Sequence, residues 1–289
     1  MVWVNAIVQG ILLGGLYALF ACGLSLMFGV MRVVNLAHGD ISVVAAFAGL
    51  LLVEQLDLPA FLTLFAVVPL LAAGGYALQR GLLSPALARG ALAPLLVTFG
   101  LSIVLQNLMQ ETFSADSRGI QIGGFGTASL RITDELSVGW FPLLTAATGV
   151  AAIAALQVFL TRTSLGRAMR ATSDDQEAAR LMGVDTRHVY GVATAIALAT
   201  VAIAGIFLAM RTTFTPTIGP ARLIFAFEAV IIGGLGSLWG TLAGGVVLGV
   251  AQAVGSQIDP AYGVLTGHLV FLAVLALRPQ GLLPKAVTA

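Results

Sequence analysis

Long stretches of this chain are apolar and uncharged, and its polar residues gather in the segments between them. An α-helix rises 1.5 Å per residue, so about 20 apolar residues are needed to cross the hydrocarbon core of a bilayer. By this measure the pattern predicts eight spans, with a ninth possible. The predicted spans cover residues 2–31, 41–53 (with a start nearer Leu36), 58–79, 91–110, 136–161, 189–210, 229–258 and 260–277. The glycine-rich seventh segment fits either one tilted span or two short, broken ones.

The composition of the chain supports this interpretation. Apolar residues make up 58% of the 289 residues and charged residues only 9%, with a net charge of +1 and a mean hydropathy of +1.00. A soluble domain carries roughly a quarter charged residues and buries only about three quarters of its surface. The composition therefore excludes an ordinary soluble enzyme, a disordered chain and a nucleic-acid binder. The sequence predicts an all-α, polytopic membrane protein in which residues 1–289 form a single transmembrane domain.

The distribution of arginine predicts which loops face the cytoplasm. Residues 162–188, which we call the basic loop, carry five arginines, and cytoplasmic loops are enriched in Lys and Arg. With this loop inside, eight basic residues lie inside and four outside, the N-terminus lies outside, and residues 110–137 form a periplasmic loop. That outer loop is long enough to hold some structure of its own. Simple alternation leaves Arg278 and Lys285 outside, whereas a broken pair within residues 229–258 returns the C-terminus to the cytoplasm, which we favour.

Single cysteine and lysine residues exclude several kinds of site. Cys22 is the one cysteine, so neither an intrachain disulfide nor a cysteine-rich metal site is possible. Lys285 is the one lysine and lies between Pro284 and Ala286, whereas a P-loop needs Gly-Lys-Ser/Thr to hold phosphates. The chain is therefore expected to have no ATP site of its own, no cofactor and no metal.

The basic loop contains the pattern of a short helix. Ser173 followed by Gln176 fits a capping box, and Asp174 and Asp175 place negative charge in the first turn. Gly183 supplies a left-handed stop, so a helix of about ten residues is predicted. Its apolar face consists of Ala178, Ala179, Leu181 and Met182. Such a helix either lies on the bilayer surface or docks on a cytoplasmic partner.

Polar residues also occur at the edge of the second span. Asn35, His38 and Asp40 place an amide, an imidazole and a carboxylate there, and polar groups at membrane depth usually face a bundle interior or a cavity. One interpretation is a pathway or gate element. The other is a capped helix start, with Asn35 as the N-cap and Asp40 in the first turn.

The glycines of the seventh segment leave a similar choice. Between Gly233 and Gly249 several are spaced by four, which allows helix backbones to approach closely. The segment is therefore tightly packed or a flexible, substrate-lining broken helix, and both can hold because broken helices in transporters line cavities. The few remaining polar residues in the spans, among them Gln106, Glu228 and His268, are expected to find partners on neighbouring helices.

Several segments resemble a known family of transporters. Glu177-Ala178-Ala179 followed by Gly183 resembles the core of the loop by which ABC importer permeases contact their ATPases, although the Ile-x-Leu-Pro tail of that motif is absent. Four further segments read VNLAHGD (34–40), TFGLS (98–102), IGGLGSLWG (232–240) and RPQGL (278–282). Together these are similar to the branched-chain amino acid permease family of the LivH type.

This resemblance implies the permease subunit of an ABC importer that carries branched-chain amino acids by alternating access through a bacterial inner membrane. In that family the subunit pairs with a homologous second permease, with two ATPase subunits that hold ATP and Mg²⁺, and with a periplasmic substrate-binding protein. The resemblance implies ATPase coupling through Glu177, Ala178, Ala179 and Gly183, and the same loop adds Arg167, Arg170, Asp175 and Leu181 as coupling candidates. The candidates for a pathway or gate are Asn35, His38, Asp40, Gly100, Ser102, Gly233, Gly234 and Gly236.

Three alternatives stay open at the level of sequence. An ABC permease of this kind could carry another small solute, such as urea, a short amide or a sugar. A secondary carrier or channel would transport without any ATPase subunit. An intramembrane hydrolase would need Ser25 or Ser102 as nucleophile and His268 as base, but the chain has no Gly-x-Ser-x-Gly elbow.

Overall fold

The computed structural model of the chain describes residues 2–90, 92–133 and 136–283, so Lys285 and the predicted start of the fourth span at residue 91 lie outside the described residues. The described part is mostly helical. The first helices are α1 (Val2–Met31), α2 (His38–Leu56), α3 (Thr63–Leu78), α4 (Ser84–Leu87), α5 (Ala93–Phe113) and α6 (Gly124–Thr127). Two strands follow, β1 (Ser129–Thr133) and β2 (Leu136–Gly139). The remaining helices are α7 (Trp140–Arg162), α8 (Ser164–Asp174), α9 (Gln176–Leu181), α10 (Thr186–Arg211), α11 (Gly219–Gly233), α12 (Leu238–Ile258) and α13 (Tyr262–Leu277).

Within the described residues, seven helical segments are long and apolar enough to cross a membrane. They are α1, α2, the continuous stretch Ala60–Leu87 that contains α3 and α4, α5, α7, α10 and α12. The apolar α13 is shorter, at 16 residues. The prediction of an all-α, polytopic membrane protein is confirmed. The predicted outer loop holds the short α6 and an antiparallel β1–β2 hairpin.

The chain divides into two compact units. The first unit contains Met1–Ser25, Gln121–Ile153 and Ile224–Ala289, and the second contains Leu26–Ile120 and Ala154–Leu223. Each unit is therefore assembled from segments distant in sequence.

Helix α10 forms the centre of the second unit, where most of its residues are buried. Small residues bring neighbouring helices to backbone distance. A Cβ atom on Gly205 of α10 would lie 2.0 Å from the carbonyl oxygen of Ser42 in α2. A Cβ atom on Gly75 of α3 would lie 2.9 Å from the carbonyl oxygen of Thr194. Both distances are shorter than real Cβ contacts, so only glycine permits this packing.

In the first unit, α12 presents two glycine faces to two different helices. Gly245 and Gly249 pack against α1, where a Cβ atom on Gly249 would lie 2.3 Å from the carbonyl oxygen of Gly10. Gly240 and Gly244 pack against α11, where a Cβ atom on Gly244 would lie 2.0 Å from the carbonyl oxygen of Ala229. The tight-packing interpretation of the glycine spacing is therefore confirmed.

The predicted seventh span is broken between α11 and α12. Gly234 and Gly236 have φ values of 109° and 78°, and the Oγ atom of Ser237 then accepts a hydrogen bond from the N–H of Gly240 at 3.1 Å to begin α12. The predicted break is present, but the helix after it, α12, is not short, because its 21 residues are enough to cross a membrane. If the basic loop lies in the cytoplasm, the additional reversal brings Arg278 to the cytoplasmic side, as the arginine distribution favours.

Candidate functional site

The basic loop folds into α8 and α9, whose caps differ from the sequence prediction. Thr163 caps α8 by accepting from the N–H of Gly166 at 3.0 Å. Asp175 caps α9, because its Oδ1 atom accepts from the N–H groups of Glu177 and Ala178 at 2.9 and 3.0 Å. The prediction that Ser173 caps a ten-residue helix is wrong, since Ser173 lies in the last turn of α8 and α9 has six residues. A carboxylate forms stronger, charge-assisted bonds to backbone N–H groups than a hydroxyl does.

The C-terminal end of α9 forms the predicted left-handed stop. Gly183 has a φ of 85°, and its N–H donates to the carbonyl oxygen of Arg180 at 2.9 Å. The N–H of Val184 donates to the carbonyl oxygen of Ala179 at 3.0 Å, which completes a Schellman motif. The connection to α10 is therefore short and has a defined direction.

The N-terminal end of α10 is capped by Asp185. Its Oδ1 atom accepts from the N–H groups of Arg187 and His188 at 3.0 and 3.1 Å. These N–H groups, that of His188 most of all, hold the pKa of the Asp185 carboxyl below its usual range. Asp185 is therefore ionised at neutral pH, which suits the positive end of the α10 dipole.

Most of the predicted coupling residues are on the surface. Leu181 and Met182 are each 84% exposed, although both are large and apolar, whereas Ala179 is buried. The other exposed members of the set are Arg167, Arg170, Asp175, Glu177, Ala178 and Gly183. The basic loop thus presents a small apolar surface, formed by Leu181 and Met182, next to charged side chains.

Sequence reasoning missed a cluster where α3 meets the start of α10. The hydroxyl of Tyr76 lies 2.9 Å from Nδ1 of His188, and Nη1 of Arg80 donates to the same hydroxyl at 3.0 Å. The i, i+4 spacing of Tyr76 and Arg80 is visible in the sequence, but their partner is 112 residues from Tyr76. This cluster fixes the base of α10 beside the basic loop.

The second group of predicted residues meets between α2 and α5. Asp40 and Ser102 are directly bonded, with Oγ of Ser102 donating to Oδ2 of Asp40 at 2.5 Å. Nε2 of Gln106 donates to Oγ of Ser102 at 3.1 Å, one turn earlier on the same helix. We call Asp40, Ser102 and Gln106 the polar cluster.

Asn35 and His38 lie just before the polar cluster and are fully buried, as is Asp40. Asn35 does not cap α2, because its Oδ1 atom accepts from the N–H of Ala37 one position before the helix begins. The Asn35 N-cap prediction is therefore wrong, although Asp40 does lie in the first turn of α2. The polar residues of this segment are enclosed in protein.

Close backbone contacts enclose the polar cluster further. A Cβ atom on Gly219 would lie 2.1 Å from Oδ1 of Asp40, and one on Gly39 would lie 2.0 Å from the carbonyl oxygen of Gly219. Among the described atoms, Oδ1 of Asp40 is buried without a hydrogen-bond partner. It instead faces the N-terminus of α11, whose dipole is favourable to negative charge. The Ser102–Asp40 bond joins α5 to α2.

The remaining candidates lie elsewhere in their units. Gly100 is exposed, with no atom within 4 Å of its Cβ position. Gly233, Gly234 and Gly236 form the break after α11, where the N–H groups of Leu282 and Leu283 donate to the carbonyl oxygens of Ile232 and Gly233 at 2.8 and 2.9 Å. The two resembling segments 232–240 and 278–282 therefore contact each other.

The expectation that Glu228 and His268 have partners on neighbouring helices is confirmed. Nδ1 of His268 is hydrogen-bonded to Oε1 of Glu228, which joins α13 to α11. The ring of Phe225 stacks on His268 with centroids 6.0 Å apart. Within the described part of the chain, no three His, Cys, Asp or Glu side chains gather as a metal site.

Removing the hydroxyl of Ser102 is expected to destabilise the second unit. Ser102→Ala leaves a buried carboxylate without its donor, which costs about 2 kcal/mol. The measurement is the melting temperature in detergent. The control is Thr112→Ala on the same helix, because this exposed hydroxyl donates to the carbonyl oxygens of Leu108 and Met109 in its own helix. Equal melting temperatures for the two variants would contradict the role given to Ser102.

Comparison with known proteins gives consistent matches over nearly the whole chain. The sequence model of the family described as "Branched-chain amino acid transport system / permease component" matches residues 6–276. The chain is 29% identical over 298 residues to the high-affinity branched-chain amino acid transport system permease protein BraD of Pseudomonas aeruginosa, covering 98% of this chain and 96% of BraD. It is 27% identical over 295 residues to the corresponding LivH protein of Escherichia coli, covering 96% of this chain and 94% of LivH. It is also 32% identical over 130 residues to the permease protein LivM of Escherichia coli, covering 43% of this chain and 30% of LivM.

Proposed function

This chain belongs to the family of permease components of branched-chain amino acid transport systems, and from that premise we propose that it imports leucine, isoleucine, valine or a related amino acid. It acts as the permease subunit of an ABC importer in a bacterial inner membrane. Separate ATPase subunits hold ATP and Mg²⁺ and supply the energy. The substrate class rests on the names of relatives such as BraD, which are similar to this chain over almost their full length.

The observation that carries the ATP-driven part of the proposal is the exposed α9. A helix that lies in a membrane interface binds with a strength that increases with the apolar area it buries there. α9 has six residues, and its exposed apolar surface consists of Leu181 and Met182. So small a surface suits insertion into a cleft of another protein. This supports docking on an ATPase over lying on the bilayer.

The geometry also indicates how movement of α9 would reach the membrane. α9 ends in a Schellman motif and α10 starts at an Asp185 cap, so the connection between the two helices is short and has a defined direction. α10 is in turn the buried centre of the second unit. A displacement of α9 on ATP binding would shift α10 against α2 and α3, and packed helices move between discrete arrangements.

The proposed complex contains a second, homologous permease. Similarity to LivM over 130 residues supports this partner, because that protein is named as a permease of a branched-chain amino acid transport system. A periplasmic substrate-binding protein completes the complex and delivers the amino acid. Both partners are inferred from the family and not from contacts.

The test is uptake of labelled leucine into proteoliposomes that contain the purified complex and, as a control, this chain alone. The complex is expected to import leucine only with ATP, with competition by isoleucine and valine but not by urea or ribose. The chain alone is expected to accumulate nothing. Uphill transport by the isolated chain would contradict the ABC mechanism, and competition by urea or ribose would change the substrate class.

A further inference from the structure

The basic loop makes a second connection to the membrane helices, separate from its link to α10. Oγ of Ser173, in the last turn of α8, donates to the carbonyl oxygen of Gly29 in the last turn of α1 at 2.5 Å. The last four carbonyl groups of a helix have no partner within the helix. Ser173 therefore satisfies a free carbonyl and ties the end of α8 to the end of α1, 144 residues away in sequence.

The segment that follows this contact has a constrained path. Arg32 adopts a φ of 54°, and a non-glycine residue in the left-handed region costs about 1–2 kcal/mol. The chain therefore leaves α1 in one defined direction. It turns through residues 32–37, where Oδ1 of Asn35 accepts from the N–H of Ala37 at 3.0 Å. We call residues 32–37 the α1–α2 turn.

The α1–α2 turn is bonded to α5 at its far end. The N–H of Leu36 donates to Oγ1 of Thr98 at 3.1 Å, and Thr98 is fully buried. One turn further along α5, Ser102 bonds Asp40 in the polar cluster. Hydrogen bonds and one short, strained turn thus connect the basic loop, the end of α1, the α1–α2 turn and α5.

We propose that Ser173 is a positioning residue that passes displacement of the basic loop to the α1–α2 turn and, through Thr98, to α5. This inference rests on the proposed function. Oγ of Ser173 and the carbonyl oxygen of Gly29 are 2.5 Å apart, and a hydrogen bond is lost when such a distance increases by about 1 Å. The contact is therefore either made or broken. Whether this hydrogen bond is made or broken would determine whether the C-terminal end of α1 moves together with α8. The buried Nδ2 of Asn35 has no partner among the described atoms, so the turn has an unused donor that another arrangement could satisfy.

The test compares the parent complex with four variants in proteoliposomes, measuring leucine moved per ATP hydrolysed. Ser173→Ala removes the hydroxyl and is expected to lower this ratio about fivefold, which is the factor that corresponds to the net contribution of one hydrogen bond. Ser173→Thr keeps the hydroxyl and is expected to restore the ratio. Ser164→Ala, at the exposed start of α8, is expected to match the parent chain.

The number of leucine molecules moved per ATP distinguishes a positioning role of Ser173 from other roles of this residue. Weaker docking on the ATPase would lower uptake and stimulated hydrolysis together and leave the ratio unchanged, which would overturn the proposal. An unchanged ratio with unchanged uptake would overturn it too. Ser173→Cys, which keeps the size but has a weaker donor, is expected to give an intermediate ratio and guards against a packing effect of alanine. If the parent complex imports no leucine, the proposed function fails before this comparison begins.

Discussion

Replacing Gly249 with leucine is expected to disrupt the packing of α1 against α12 and to destabilise the protein strongly. A Cβ atom at this position would lie 2.3 Å from the carbonyl oxygen of Gly10 and 2.5 Å from the backbone nitrogen of Gly14. Both atoms belong to the backbone of α1, so no side chain can turn away to make room. Overpacking a helix interface costs 1–3 kcal/mol or more, and we expect ~3 kcal/mol here.

The measurement is thermal unfolding in detergent, monitored as the loss of the monodisperse peak in size-exclusion chromatography. A change of ~3 kcal/mol corresponds to a fall of about 10 °C in melting temperature for a chain of this size. The melting temperature of Gly249→Ala is expected to lie between those of the parent chain and the leucine variant. The matched control is Gly74→Leu, which adds the same side chain in the interior of α3 where no atom lies within 4 Å. Equal melting of the Gly249 and Gly74 variants would contradict the α1–α12 contact.

The glycine contacts show which features of this fold are visible in the sequence. Uncharged runs long enough to cross a bilayer predict the spans because lipid leaves the backbone no alternative to helices. The spacing of Gly240, Gly244, Gly245 and Gly249 predicts close packing on α12, and the structure confirms it. The spacing alone does not say that one pair meets α11 and the other α1, because two faces of one helix are equivalent until tertiary contacts form.

The cap of α9 shows where local reasoning fails. Ser173 and Asp175 are two residues apart, and either side chain can cap a helix. The hydroxyl of Ser173 is occupied by the carbonyl oxygen of Gly29, a partner 144 residues away that no local pattern indicates. The carboxylate of Asp175 is then left to start the helix two positions later.

The polar cluster was only half predictable for the same reason. Asp40 and Ser102 were each singled out, and their bond joins positions 62 residues apart. Resemblance identified the residues, but their burial could not be derived from it. Gly219, whose backbone approaches Asp40, carried no signal in the sequence beyond being a glycine before Pro220.

Placing valine at Gly183 is expected to weaken coupling at least about fivefold while leaving the fold intact. Gly183 has a φ of 85°, so a β-branched residue would be strained there whatever the space around it. No atom lies within 4 Å of its Cβ position, so the variant creates no clash in the core. The strain instead falls on the Schellman motif that sets the direction from α9 into α10. A penalty of about 1–2 kcal/mol shifts the population of the native stop roughly 5- to 30-fold.

Two controls separate strain at this site from strain in general. Gly183→Asn is expected to keep most of the coupling, because asparagine tolerates the left-handed region. Gly90→Val introduces comparable strain at a φ of 120° with no atom within 4 Å, but it lies between α4 and α5 and not in the basic loop. The measurements are ATP-dependent leucine uptake and stimulation of ATP hydrolysis in the full complex. Both should fall at least about fivefold for Gly183→Val and stay near the parent values for Gly90→Val. Parent-like uptake and stimulation in Gly183→Val would mean that α9 does not transmit the movement of the ATPase.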